Sequence, residues 1–343
     1  MPRLNNKVAI VTGGGSGFGA AIATRFAEEG AKVIVADINA AGGESVAAQN
    51  PENLVFQKVD VTSPSDWAAL VETAVTKFGK LDILVNNAGT TYRNKVQPSP
   101  ASQLLLDMAN SVQPTLEVTE AEWERVFNVN VKGIFHGTQA VIARLLEQGH
   151  GGSVINISST GASRPRPGLV WYNASKGAVS NVRSFLSNFA LSFLEGKRKA
   201  HSHRQATKGL AAEYGPHNIR VNTVSPLLSG TGLFSMFTGM EDTEENRQKF
   251  IGNVPLGRLT DPADVANMCL YLASDEGSFI NAHLAWCCIA GCRDGPSCIP
   301  DIGGRKTKRT KICVDLVAYR HKGLILLRLG LRFGLDVKSS NVT

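Results

Sequence analysis

The chain has 343 residues, 43% of them hydrophobic, with 34 glycines and a formal net charge of +7, which is apolar content enough for one large core or two ordinary ones. The positive charge sits in two places, +7 within residues 282–343 and +4 within residues 182–205, and the rest is mildly acidic. That distribution excludes a nucleic-acid binder built on the body of the chain. No apolar run reaches the roughly 18 residues that suggest a membrane span, and Met1–Lys7 leads straight into a strand-like run, so a cytoplasmic protein is expected. Five of the six cysteines lie beyond residue 286 without zinc-like paired spacing, so no metal site is expected.

In chain order, short β-branched runs alternate with helical stretches. A strand over 7–13 is followed by a helix over 17–29, a strand over 32–37 and a helix around 40–49. A strand over 54–61, a helix over 64–78 and a strand over 81–89 come next. Then come a helix over 119–148, a strand over 152–159, a helix opening near 172, a strand over 219–226, a mobile-looking stretch over 227–255 and a helix over 262–273. The alternation predicts an α/β fold of one domain, a Rossmann-type doubly wound parallel sheet. The strands lack polar alternation, as strands buried on both faces do.

The turn after the first strand holds Gly13, Gly17 and Gly19. Missing side chains there let backbone N–H groups and a helix N-terminus approach a pyrophosphate. Ser16 and Phe18 lie in the same turn and join the candidate cofactor-binding set. Asp37 ends the second strand, where a carboxylate accepts hydrogen bonds from ribose hydroxyls and repels a 2′-phosphate. NAD is therefore expected over NADP. Asp60 and Val61, ending the third strand, would lie where the adenine rests.

Tyr172 and Lys176 stand four apart in "YNASK", thirteen positions beyond Ser159. An ammonium one helical turn away would stabilise a phenolate and lower the tyrosine pKa, making Tyr172 a usable general acid/base. A serine hydroxyl could polarise the substrate oxygen. Together with the glycine turn, "NNAG" at 86–89 and "NVNVKG" at 128–133, this pattern resembles the classical short-chain dehydrogenase/reductase family. The resemblance implies a secondary alcohol or ketone as substrate, Asn130 supporting a water relay to Lys176, and Tyr172 and Lys176 also touching the cofactor. It further implies contacts from Asn86, Ala88 and Gly89 on the adenosine side and from Thr231 to the nicotinamide carboxamide. The family usually has Pro-Gly where this chain has Pro226–Leu227. Pairing of subunits through the helices at 119–148 and 172–214 is implied too, giving a homodimer or homotetramer. Apolar residues over 227–240 hint at an apolar or ring-bearing substrate.

The resemblance runs over 1–281 and is interrupted at 96–113 and 182–205. With residues 182–205 removed, Ala178, Val179, Ala206, Leu210 and Tyr214 fall on one helical stripe that ends at Gly215–Pro216. Both segments start with Val and end with Gln, residues whose codons can begin GT and end AG, so they read as retained introns translated in frame. The other reading is a genuine insertion, since Val182, Phe185, Leu186 and Phe189 also keep helical spacing. Such an insertion would disturb the catalytic helix and leave a nucleotide-binding chain of impaired activity. Residues 282–343 read as a basic tail outside the family pattern, replacing its last strand, with a membrane-surface helix as an alternative for its apolar run.

Overall fold

The computed structural model describes residues 2–92, 115–165, 168–180, 206–230, 234–238, 240–252, 254–287, 312–321 and 324–333. The segments 96–113 and 182–205, and with them the choice between intron and insertion, lie outside the described residues, as does Thr231.

Strand β1 (Val8–Thr12) runs into helix α1 (Gly17–Glu28), then β2 (Lys32–Asp37), α2 (Ala40–Ala47), β3 (Leu54–Lys58), α3 (Pro64–Phe78) and β4 (Ile83–Asn86). The second half holds α4 (Glu120–Phe127), α5 (Gly133–Gln148), β5 (Gly152–Ile157), α6 (Val170–Ser180) and α7 (Ala206–Tyr214). After these come β6 (Ile219–Pro226), α8 (Phe234–Thr238), α9 (Glu244–Ile251), α10 (Pro262–Ala273) and β7 (Leu284–Cys287).

The seven strands pair in parallel in the order β3-β2-β1-β4-β5-β6-β7. This is the doubly wound Rossmann arrangement, with its topological switch between β1 and β4. Alternate residues of β1 feed two cores. Ala9 and Val11 pack with Ile22 and Phe26 of α1 and with Val265 and Leu270 of α10. Val8 and Ile10 pack with Trp67 and Leu70 of α3 and with Val141 and Leu145 of α5. Burial on both faces explains why these strands read as unbroken apolar runs.

Local chemistry sets the helix ends. Ser63 caps α3 through Asp66 N, with Pro64 at the first helical position, and Gly79 closes it in the left-handed region. Thr119 and Glu122 form a capping box on α4.

Three sequence expectations are corrected. The helix over 119–148 is interrupted by a π-helical turn at Asn128–Lys132, which forms where side-chain bonds from Asn130 hold the chain. The last sheet strand is present: Leu284–Cys287 extends the sheet beside β6, so the sheet runs past residue 281. The apolar run near the C-terminus, for which a surface helix was an alternative, is a strand. It belongs to a second unit, residues 292–343, in which β8 (Ile312–His321) and β9 (Leu324–Phe333) pair antiparallel and so satisfy each other's backbone groups. No helix among the described residues is long and apolar enough to cross a membrane.

Candidate active site

The candidate residues gather beyond the C-terminal ends of the strands, where ligands of open parallel sheets bind. At the nucleotide side, Gly17 has φ +54 and open space around the position a Cβ would take, a conformation that costs an L side chain strain. Ser16, extended at the N-cap of α1, makes no side-chain capping bond, and no acidic residue occupies the first turn. The N-terminal amides of α1 are thus left to an anion. A Cβ on Gly19 would collide with the Gly13 carbonyl oxygen. Phe18 is half-buried against the core. Asp37 Oδ2 accepts from Gly15 N at 2.8 Å and Oδ1 from Asn39 N at 2.9 Å, which holds its carboxylate beside the glycine turn. These features fit a dinucleotide.

Other members of the nucleotide set have partners within the protein. Asn86 is buried and donates to Asn156 Oδ1 at 2.9 Å, so its side chain serves the sheet. Its neighbour Asn87, which the sequence reading passed over, donates from Nδ2 to the carbonyls of Thr12 (2.9 Å) and Gly13 (3.1 Å), fastening β4 to the glycine turn. The backbone N–H of Ala88 donates to Thr12 Oγ1 at 3.1 Å. Strand alternation shows that adjacent asparagines face opposite ways; the direction of each depends on the partner strand. Asp60 accepts from Thr62 N and Thr62 Oγ1, both at 2.8 Å, which turns its carboxylate onto its own loop. Val61 packs on Gly133 and its carbonyl receives the Trp67 indole N–H at 2.9 Å.

At the chemical side, Ser159 follows β5 and caps a short turn through Gly161 N at 3.1 Å. Its hydroxyl also hydrogen-bonds the Tyr172 phenol. Tyr172 and Lys176 lie one turn apart on α6, both buried, and the Lys176 ammonium donates to the Ile157 carbonyl at 2.9 Å. Gly89 brings the two sides together: a Cβ there would stand 3.2 Å from Lys176 Nζ and 3.4 Å from Asn130 Oδ1. Asn130, in the π-helical turn, accepts from Thr90 N at 2.8 Å and donates to Thr90 O at 2.9 Å and to Ser175 Oγ at 3.0 Å. Ser175 Oγ in turn donates to Tyr172 O at 2.7 Å, linking the turn to the helix that carries Tyr172 and Lys176. Sequence reasoning missed Ser175, although its place between Tyr172 and Lys176 was a signal.

The electrostatics differ from expectation in one respect. Burial pushes the Tyr172 phenol up to about 12, against the smaller downward pull of Ser159. Burial also pushes the Lys176 ammonium down to about 8. Loss of water around each group sets the direction of both shifts, and Ser159, not Lys176, supplies the opposing pull on the phenol. An apolar cluster of Tyr92, Val126 and Leu169, with Trp171, Phe127 and Phe237 at its margin, encloses Tyr172. The arrangement can hold a carbonyl or hydroxyl oxygen at two hydroxyl groups in a largely dry setting.

Comparison with known proteins gives the same picture. A family model described as short chain dehydrogenase matches residues 7–191, and one described as enoyl-(acyl carrier protein) reductase matches residues 198–286. A 4-formylbenzenesulfonate dehydrogenase from Comamonas testosteroni is 40% identical over 81% of this chain and 94% of its own length. A cyclopentanol dehydrogenase from a Comamonas strain is 32% identical over 82% and 95%. A crystal structure of a 3-ketoacyl-(acyl-carrier-protein) reductase from Brucella melitensis, complexed with NADH, is similar with a TM-score of 0.67 and 35% identity. That match covers 82% of this chain and 97% of the other. With family motifs, sheet order and relatives in agreement, the chain belongs to the short-chain dehydrogenase family, oxidoreductases that act on CH–OH groups.

Proposed function

We propose that the protein is an NAD(H)-dependent oxidoreductase that interconverts a ring-bearing secondary alcohol and the corresponding ketone. The observation that carries this reading is the group of half-buried Ser159 and buried Tyr172 and Lys176 beside Gly89, where the chemical and nucleotide sides meet. A bound nicotinamide supplies or accepts the hydride. Tyr172 holds a proton on its phenol oxygen at neutral pH and delivers it to the ketone oxygen, or receives it from the alcohol in the reverse direction. Ser159 donates a hydrogen bond to the same oxygen and stabilises the charge that develops there. Lys176, held by Ile157 O, keeps a positive charge near the phenol and favours its ionised form when the alcohol is oxidised. Asn130 and Ser175 hold the backbone that carries Tyr172.

Asp37 supports NAD over NADP, because its carboxylate beside the glycine turn would face a 2′-phosphate with like charge. The ring preference draws on the apolar cluster around Tyr172 and on the names of three relatives: 4-formylbenzenesulfonate, cyclopentanol and hydroxysteroid dehydrogenases. Phe135 and Leu146, exposed on α5, and Val170 on α6 support assembly into a homo-oligomer through these helices.

The test is Tyr172→Phe with cyclopentanol and NAD. Turnover should fall by at least about a thousandfold, in line with loss of the acid/base together with its activated oxygen. Fluorescence titration of the same sample should show NADH still bound, and more tightly than NADPH. Undiminished turnover in the variant refutes the assignment. NADH binding without turnover of any alcohol by the wild-type chain favours the impaired nucleotide-binding reading instead.

A further inference from the structure

The segment after β6 contributes one aromatic ring to the catalytic tyrosine. In α8, Phe234 is fully buried and meets Phe250 of α9 edge-on, with ring centroids 5.7 Å apart and planes at 90°. Thr238 closes the helix by donating to Phe234 O at 2.8 Å and accepting from Met240 N at 3.1 Å. On α9, Arg247 is clamped by Asp242 through two hydrogen bonds, of 2.6 and 3.0 Å, and reaches Gly230 O at 3.4 Å. This helix pair therefore has a fixed seat.

Phe237 lies three residues after the Phe234 anchor, so it stands on a neighbouring part of the same helical face. Its ring meets Tyr172 at 5.1 Å between centroids and 62° between planes, a favourable edge-to-face contact. Tyr172 is only 7% exposed. Among the described residues of the surrounding cluster, Phe237 alone comes from the segment after β6; the others come from the segment after β4, from the stretch leading into α4, from α4 itself and from the start of α6. Phe234 is wholly buried as an anchor, whereas Phe237 is only partly buried and packs its ring on that of Tyr172.

We propose that Phe237 sets the size of the substrate: its ring is the wall against which the carbon skeleton of a single-ring alcohol packs while its oxygen lies between Tyr172 and Ser159. This deepens the reading of Tyr172 as acid/base and rests on it. A fused-ring alcohol would need the space the Phe237 ring fills, and a single-ring alcohol loses its packing surface when that ring is removed.

The experiment compares wild type with Phe237→Ala and Phe237→Leu on two alcohols, cyclopentanol and the fused-ring 2-decalol, with NAD. In Phe237→Ala, KM for cyclopentanol should rise about tenfold with kcat nearly unchanged, and the ratio of kcat/KM should shift toward 2-decalol by about tenfold or more. Phe237→Leu should fall between and serves if the alanine variant does not fold. A second readout needs no turnover: nitration of Tyr172 by tetranitromethane, located by peptide mass mapping, should be several-fold faster in the variants at one pH. An equal change for both alcohols, or Tyr172 nitrated at the wild-type rate, overturns the proposal while Tyr172 keeps its role. Failure of wild type to turn over either alcohol with NADH bound overturns the acid/base reading and the size selection with it.

Discussion

Lys176 combines burial with charge, and that combination has a measurable cost. Lys176 is 5% exposed, and its ammonium has Ile157 O as acceptor. Its pKa falls from 10.5 to about 8 on folding, so between those values the unfolded chain binds a proton that the folded chain does not. Stability from this group therefore rises as pH rises through that window. Tyr172 acts oppositely between 10 and about 12, because there the unfolded chain has lost a proton that the folded chain keeps. Lys176→Met should be more stable than wild type at pH 7.5, and the gap should narrow by about 2 kcal/mol by pH 9.5. Urea unfolding at both pH values measures it, with Tyr172 common to both proteins; a constant gap would mean that the ammonium is not desolvated. The identities of Ser159, Tyr172 and Lys176 were legible as a spacing. The direction of the phenol's shift was not, because it depends on water excluded by Tyr92, Leu169 and Phe237.

At the scale of the element, the N-terminus of α1 depends on Gly17. The left-handed φ of +54 there costs a side-chain-bearing residue about 1–2 kcal/mol, and a methyl group would occupy space that is open in the glycine turn. Gly17→Ala should lower Tm by several degrees and weaken NADH binding at least about tenfold. Calorimetry and fluorescence titration report the two effects separately; unchanged NADH affinity would place the pyrophosphate elsewhere. The start of this helix was legible from its glycines. The break in the long helix at Asn128–Lys132 was not, because "NVNVKG" keeps an ordinary helical pattern. Bonds from Asn130 to Thr90 and Ser175, residues 40 before and 45 after it, decide the break.

For the whole molecule, the helix that carries Tyr172 and Lys176 is the point of leverage. Helix α6 ends at Ser180 and α7 begins at Ala206, and α7 terminates at the Gly215–Pro216 turn. Leu210 and Tyr214 pack at the margin of the core that includes Ala211 and Val221. A chain lacking residues 182–205 should carry one continuous helix through this region, with a Tm several degrees higher and alcohol oxidation at least as fast. Size-exclusion chromatography should show a larger share of oligomer, since α5 and the joined helix would offer one uninterrupted face. Lower activity together with lower Tm would show that the segment is a working part of the fold.

The sequence by itself determined the alternation of strands and helices, the glycine turn, the Asp37 terminus of β2 and the spacing of Ser159, Tyr172 and Lys176. These are set by local backbone preference and by hydrophobic period. Tertiary structure alone decided that Asn87, and not Asn86, ties the glycine turn, that Leu284–Cys287 completes the sheet beside β6, and that Phe237 packs on the Tyr172 ring. Each of these follows from which residues distant in the chain become neighbours, and a hydrogen bond, a strand pairing or a dry contact exists only once both partners are in place.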